Sequence, residues 1–363
     1  MRRLLLSISL SAVGLLLSAG AGAQDPAPSG WAVVELSANF MREKPDFDEE
    51  LGDQALMGTV VEVLDIQGNW VKVKTSEPYT AWVTDMGLVR MDETSLQDYL
   101  EAPKYICTAA HSHIYEEPSL KSGIVSEFIL GDIVRIMYKT VHHSSGRYKG
   151  YDEGRAVLTK KFVGVVLPSG KTGYVPAKDV AVFYKWAKDR EELLKKPESV
   201  RENIVSTTRM FLGVPYMWGG TSIKNVDCSG LTRCVFFENG ILLPRNASQQ
   251  ARCGEEIDFL DGAGNVSWSG LLPGDLVFWG REATDSAPEK VSHVGIYIGG
   301  GEFIHSSHYV RVGSLDPASG YYYDRKPLHV RRIVGPAGMS GTENGLGKGA
   351  EAIFQNPSYF PGY

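Results

Sequence analysis

The sequence predicts a multidomain chain, with two small all-β units in tandem followed by an α+β domain. Three observations carry this reading. Short runs of alternating β-branched residues, punctuated by Gly, Asn and Asp, fill the first half. The order of those runs occurs twice. From about residue 200 onward, helical periodicity joins the strands. A chain of 363 residues with 43% hydrophobic content suffices for two or three packed domains. A net charge of −6, with no long basic run, argues against nucleic acid and anionic membrane surfaces as partners.

Residues 1–23 read as a leader: Arg2 and Arg3 precede an apolar run from Leu4 to Leu17, and Ala21-Gly22-Ala23 offers a small-residue cleavage site before Gln24. The apolar run is short for a membrane span, and no cysteine lies near the site to carry a lipid. The mature protein is therefore expected to be exported, periplasmic or secreted, without a membrane anchor. Export permits disulfides. Among Cys107, Cys228, Cys234 and Cys253, the second and third face different sides of one predicted helix, and a Cys234–Cys253 pair is left open.

The first β unit spans residues 31–99, with strands predicted around Val60–Leu64, Trp70–Val73 and Ala81–Val83. The second spans 100–183 and repeats the order around Ile133–Ile136, Val163–Val166 and Gly173–Val175, with an insertion from His142 to Arg155. No metal or other cofactor is expected. His111, His113, His142 and His143 have no carboxylate or cysteine at a ligand spacing beside them. Residues 184–200 read as a linker, after which Val200 to Phe211 form a helix of the last domain, 201–334. Residues 335–363, rich in Gly, Asn and Pro, read as an irregular tail.

Within the last domain, Cys228 sits between a glycine-rich loop and the first turn of a helix. Leu231, Cys234, Val235 and Phe236 supply the apolar face, Asp227 the N-cap and Gly240 the stop. The helix dipole and free backbone N–H groups there favour thiolate, the nucleophilic form. Downstream, Ser292 to Ile298 and Glu302 to Ser306 flank three glycines and predict a hairpin. A three-residue turn pairs Ile298 with Glu302, Ile296 with Ile304 and Gly295 with His305. His293 and His305 then share a face, with Cβ atoms roughly 7–8 Å apart. A cysteine at a helix start, a histidine to take its proton and a second polar group to orient that histidine make a nucleophilic triad: Cys228 attacks a carbonyl, His293 is the base and His305 holds it. Backbone N–H groups near the helix start, that of Cys228 among them, would meet the oxyanion.

Five motifs in this order, Pro215-Tyr216-Met217-Trp218-Gly219-Gly220, Asp227-Cys228-Ser229-Gly230-Leu231, Leu272-Pro273-Gly274-Asp275-Leu276, Ser292-His293-Val294-Gly295-Ile296-Tyr297 and Phe303-Ile304-His305, resemble the NlpC family of cell-wall cysteine peptidases. The resemblance covers residues 201–334. It implies a papain-like core and a Cys–His–His triad on Cys228, His293 and His305. The two leading units resemble bacterial SH3-like barrels. Together they look like the subgroup that cleaves the γ-D-glutamyl-L-diamino acid bond of peptidoglycan stem peptides and prefers a free N-terminal L-alanine. In that subgroup the residues matching Asp227, Ser229 and Ser248 help hold the amine, and the first barrel adds an acidic and an aromatic side chain, for which Glu77, Tyr79 and Tyr115 are candidates. Trp218 and Arg245 are candidate cleft residues, each with a bland alternative: core packing for Trp218 and a surface ion pair for Arg245. Rival readings are a murein amidase or acyltransferase on the same fold, or a non-catalytic wall-binding protein.

Overall fold

The computed structural model describes residues 30–138, 159, 161–335 and 345–361, so the expected leader and the insertion at 142–155 lie outside the described residues. Seven strands form the first sheet: β1 (Gly30–Val34), β2 (Asn39–Arg42), β3 (Leu51–Ala55), β4 (Val60–Gln67), β5 (Trp70–Lys74), β6 (Thr80–Thr84) and β7 (Leu88–Met91). Alternation in β4 and β5 buries Val61, Val63, Val71 and Val73, and leaves Glu62 and Lys74 at the surface to pair at 3.4 Å. Helix α1 (Glu93–Glu101), capped by the Asp92 side chain on the Ser95 N–H, leads into a second set.

That set is β8 (Lys104–Cys107), β9 (His111–Tyr115), β10 (Ile124–Ile129), β11 (Ile133–Ile136), β12 (Phe162–Val166), β13 (Thr172–Pro176) and β14 (Val180–Val182). The first sheet runs β3-β2-β6-β5-β4-β1-β7 and the second β10-β9-β13-β12-β11-β8-β14, the same order strand for strand. The repeat visible in the sequence is a repeat of topology.

The stretch read as a linker is helical. Helix α2 (Phe183–Leu194) buries Phe183, Trp186, Ala187 and Leu194 beneath its charged outer face, and α3 (Pro197–Met210) opens on a proline in its first turn, where the missing N–H costs nothing. The last domain continues with the short hairpin β15 (Thr221–Ser222) and β16 (Asn225–Val226), then α4 (Cys228–Glu238), β17 (Ile241–Leu242), α5 (Ala247–Gln250) and β18 (Glu255–Glu256). The remaining strands are β19 (Leu276–Arg281), β20 (Lys290–Gly299), β21 (Glu302–Ser307), β22 (Tyr309–Ser314) and β23 (His329–Arg332). With β18 they form a sheet of order β18-β23-β19-β20-β21-β22. Helix α4 packs on this sheet through Leu231, Val235 and Phe236, against Val294, Ile296 and Ile304. In β20–β21, Ile296 pairs with Ile304 as the hairpin reading requires, but Glu302 faces Gly299 instead of Ile298. Gly299, Gly300 and Gly301 all adopt positive φ, at 101°, 64° and 81°, and the extra residue is taken up as a bulge beside the turn, beyond the two histidines.

The expected irregular tail is packed where it is described. Strand β24 (Glu351–Ala352) pairs with β17, and Ile353, Phe354 and Phe360 join Phe183, Trp186, Ile106 and Ile133 in one buried cluster. The three domains also meet through polar contacts. Ser37 of the first barrel donates to Glu127 of the second at 3.0 Å, and Glu127 pairs with Lys224 of the last domain at 2.7 Å. All four cysteines are free thiols, so the Cys234–Cys253 pairing left open by the sequence is not made. No helix among the described residues is long and apolar enough to cross a membrane.

Candidate active site

Asp227 makes the start of α4. Its carboxylate accepts the Gly230 N–H at 2.7 Å, which caps the helix and sets Cys228 at the first helical position. The approach of the preceding loop demands glycine at 230, because a Cβ there would stand 1.9 Å from the Gly220 carbonyl oxygen. From the sheet, β20 carries His293 and β21 carries His305 toward this helix start, where the N–H of Val294, next to His293, faces the Cys228 sulfur. His293 Nε2 lies 2.7 Å from His305 Nδ1. Gly295 gives them space: a Cβ there would lie 2.9 Å from the Phe303 ring and 3.3 Å from the His305 Cβ. With Nε2 of His293 engaged by His305, Nδ1 is the nitrogen left to take a thiol proton. The proton of a neutral His293 then sits on Nε2 and is donated to His305.

The thiol is not lowered as its helix position suggests. Burial, and after it the Asp227 charge, push Cys228 up to about 12, while the backbone N–H groups of Val294 and Ser229 and the charge of Arg245 pull the other way. Burial also lowers His293 to about 4, helped by Arg325 and Arg311. His305 falls to about 3 for the same first reason, with His293 and Arg311 adding to it. The resting pair is thus a neutral thiol beside a neutral imidazole. Tyr323 walls the site, with its ring 5.1 Å from that of His305 and 5.9 Å from that of His293.

Comparison with known proteins is consistent with this geometry. Residues 213–332 match the NlpC/P60 family, and residues 41–88 match the bacterial dipeptidyl-peptidase SH3 domain. Cys228 lies inside the matched NlpC/P60 region. A γ-D-glutamyl-L-lysine dipeptidyl-peptidase of Bacillus cereus is 29% identical over 78% of this chain and 76% of its own length. Dipeptidyl-peptidase 6 of Lysinibacillus sphaericus is 23% identical over 80% of this chain and 93% of its own. An NlpC/P60 family protein of Bacillus cereus, solved by crystallography, shares the fold with a TM-score of 0.60 at 23% identity, over 83% of this chain and 99% of that one.

The first barrel reaches into the NlpC/P60 domain beside the helix cap. Arg245, expected at the cleft or the surface, is 3% exposed and grips Asp227 with both terminal nitrogens, while Nη1 also lies 3.0 Å from the Ser229 hydroxyl. Its Nε stands 3.0 Å from Asp53 Oδ1, close enough to pair in charge, although the N–H is not aligned as a hydrogen bond. Asp53, fully buried on β3, also accepts from Thr221 Oγ1 at 2.7 Å and pairs with Arg233 at 2.6 Å. Arg233 continues to Glu77 at 2.8 Å. The charges alternate from the helix cap to the first barrel, carboxylate to guanidinium, over five groups.

This arrangement redistributes the expected substrate residues. Asp227 accepts from Gly219 N, Gly230 N, the Ser229 hydroxyl and both Arg245 nitrogens, so both carboxylate oxygens are already engaged. Ser229 is buried and spent on Asp227 and Arg245. Glu77 is tied to Arg233. Tyr115 stays within the second barrel, its ring against those of Phe162 and His113, and nothing ties it to the cysteine. Ser248 is exposed on α5, without a hydrogen bond to the triad. Trp218 is 61% exposed next to Gly219, whose backbone packs on Leu51 of the first barrel.

Tyr79 lies close enough to Asp53, Arg245, Glu43 and Asp227 to sense their charges, although burial is the main cause of its raised phenol pKa. Asp53 and Gln250 escaped the sequence reading. Gln250 is fully buried, donates to the Ser229 carbonyl at 3.1 Å and accepts from Thr232 at 2.7 Å, which fixes the first turn of α4. It stands among the polar residues Arg245, Asn246, Ser248 and Gln249, so no contrast in the sequence marked it as buried.

Proposed function

We propose that this protein is a cysteine peptidase of peptidoglycan stem peptides, acting outside the cytoplasm on the γ-D-glutamyl-L-diamino acid bond of fragments with a free N-terminal L-alanine. The observation that carries it is that the Val294 N–H, one residue from His293, faces the Cys228 sulfur beside the hydrogen-bonded His293–His305 pair, in a chain resembling enzymes named for that bond over more than three quarters of their length. Cys228 Sγ attacks the amide carbonyl carbon as His293 takes the thiol proton at Nδ1. The imidazolium, steadied by His305, then protonates the leaving amine, and water attacks the resulting thioester with His293 again as base.

Backbone N–H groups at the start of α4 and that of Val294 face the sulfur and support the developing oxyanion. A γ-glutamyl substrate carries its free α-carboxylate beside the γ-carboxyl that is cut, and Arg311 and Arg325 supply positive charge on the histidine side. At the other end, Glu43 and the Tyr79 hydroxyl of the first barrel are better placed than Glu77 or Tyr115 to receive an ammonium.

The test is incubation with L-Ala-γ-D-Glu-L-Lys and with its N-acetylated form, products being identified by mass. Release of L-Ala-γ-D-Glu from the free-amine peptide alone, lost in Cys228→Ala, supports the reading. Failure to cut either peptide overturns it.

A further inference from the structure

A chain of charges runs from the helix cap into the first barrel. We propose that Asp53 of the first barrel is a positioning residue for Cys228, acting through Arg245 and Asp227. This rests on the peptidase reading above, and extends it from the residues that touch substrate to one that does not.

Asp227 both caps α4 and orients its first turn, where Cys228 sits. Arg245 holds both carboxylate oxygens of Asp227, including the one that accepts the Gly230 N–H, and Asp53 is the second carboxylate on that guanidinium. All three are nearly or fully buried: Arg245 is 3% exposed, Asp227 6% and Asp53 0%. A buried guanidinium left with one carboxylate in place of two is under-compensated and shifts toward whatever acceptor or water remains. Asp53 is itself held by Thr221 Oγ1, its neighbour's Gln54 N–H and Arg233, so its position is set by both domains at once. Thr221 further accepts the Gln54 N–H at 2.9 Å, and the Thr221 N–H donates to Gln54 Oε1 at 2.8 Å, which locks β3 onto β15. The catalytic helix is therefore seated against a group contributed by a different domain. Interdomain contact elsewhere, at Glu127 and Lys224, has no connection to the cap.

The experiment compares Asp53→Asn with Lys224→Ala, which loosens the same assembly away from the network, and with Arg245→Gln alone and combined with Asp53→Asn. Readouts are kcat and KM on the tripeptide, melting temperature, and the rate at which iodoacetamide alkylates Cys228, which needs no substrate. Asp53→Asn should lower kcat about tenfold with a smaller change in KM, and change the alkylation rate. Lys224→Ala should leave kcat within about twofold. Added to Arg245→Gln, Asp53→Asn should cost little more, since its effect passes through that residue.

A folded Asp53→Asn enzyme with wild-type kcat and alkylation overturns the proposal, as does full additivity in the double variant. Where Asp53→Asn does not fold, Thr221→Val, which removes the hydroxyl holding Asp53 but keeps its charge, should lower kcat about threefold. Unchanged kcat there also overturns it. If wild type cuts no peptide, the peptidase reading fails, while the alkylation arm still reports on the geometry.

Discussion

At a helix N-terminus the dipole favours an anion by about 0.3–1 kcal/mol, less than one pKa unit at about 1.4 kcal/mol. Burial of Cys228 and the Asp227 charge outweigh that gain and take the thiol up to about 12. On the proposed mechanism Cys228 is deprotonated during attack, by His293, and is not stored as thiolate. Alkylation of Cys228 by iodoacetamide should still be rising at pH 9.0, the ordinary thiol value, and a plateau near neutrality would contradict the neutral pair. His293 and His305 stay neutral in the fold well below their ordinary value of 6.5, to about 4 and about 3. Between 6.5 and 4 these two sites therefore bind more protons in the unfolded chain than in the native one, so their contribution to stability is lost as pH drops through that window. A urea midpoint that declines there, and declines less in His293→Gln, is the expected outcome. That His293 and His305 meet on one face was legible from their spacing. Their protonation was not, because burial depends on what three domains place around them.

Among the elements, α4 and the β20–β21 hairpin carry the site, and each hangs on a glycine with a measurable clash behind it. Gly230→Ala would drive a methyl group to 1.9 Å from a carbonyl oxygen, where backbone cannot yield cheaply. A loss of about 3 kcal/mol or more in unfolding free energy is expected, together with loss of turnover, and denaturant titration checks it. Asp227→Asn should lower both melting temperature and kcat. Because every acceptor position of Asp227 is taken by the protein, a selective rise in KM is not expected, and calorimetry beside steady-state kinetics separates the outcomes. The hairpin register followed from an assumed three-residue turn; it matches at Ile296 and Ile304 and departs by one residue at Gly299. The bulge at Gly299 was hidden because three consecutive glycines permit several turns. The helix at α2 was hidden for another reason: its apolar residues recur at helical spacing, but charge dominates the stretch, and composition spoke for a linker.

In the whole molecule, two sheets of identical order and one mixed domain are fastened by a segment that sequence composition marked as loose. Glycine, asparagine and proline describe the local backbone of residues 345–361 well, and say nothing of where Phe354 and Phe360 bury themselves. Phe360 stacks on Phe183 with ring centroids 4.9 Å apart, and Tyr359 lies 3.5 Å from Glu77 of the first barrel. Phe360→Ala should cost about 3 kcal/mol by thermal or chemical unfolding, against little effect at an exposed position such as Leu120. That strap also has a consequence for the order of assembly. It lies downstream of every surface it joins, so a chain folding from its N-terminus can complete each barrel singly while the junction stays open. The last clasp to close is the one that brings Tyr359 within 3.5 Å of Glu77, the outermost carboxylate of the charge chain that leads to Asp227. A nascent chain that has not yet made residues 345–361 would then hold Glu77, and the charge chain that starts there, in an unfinished frame.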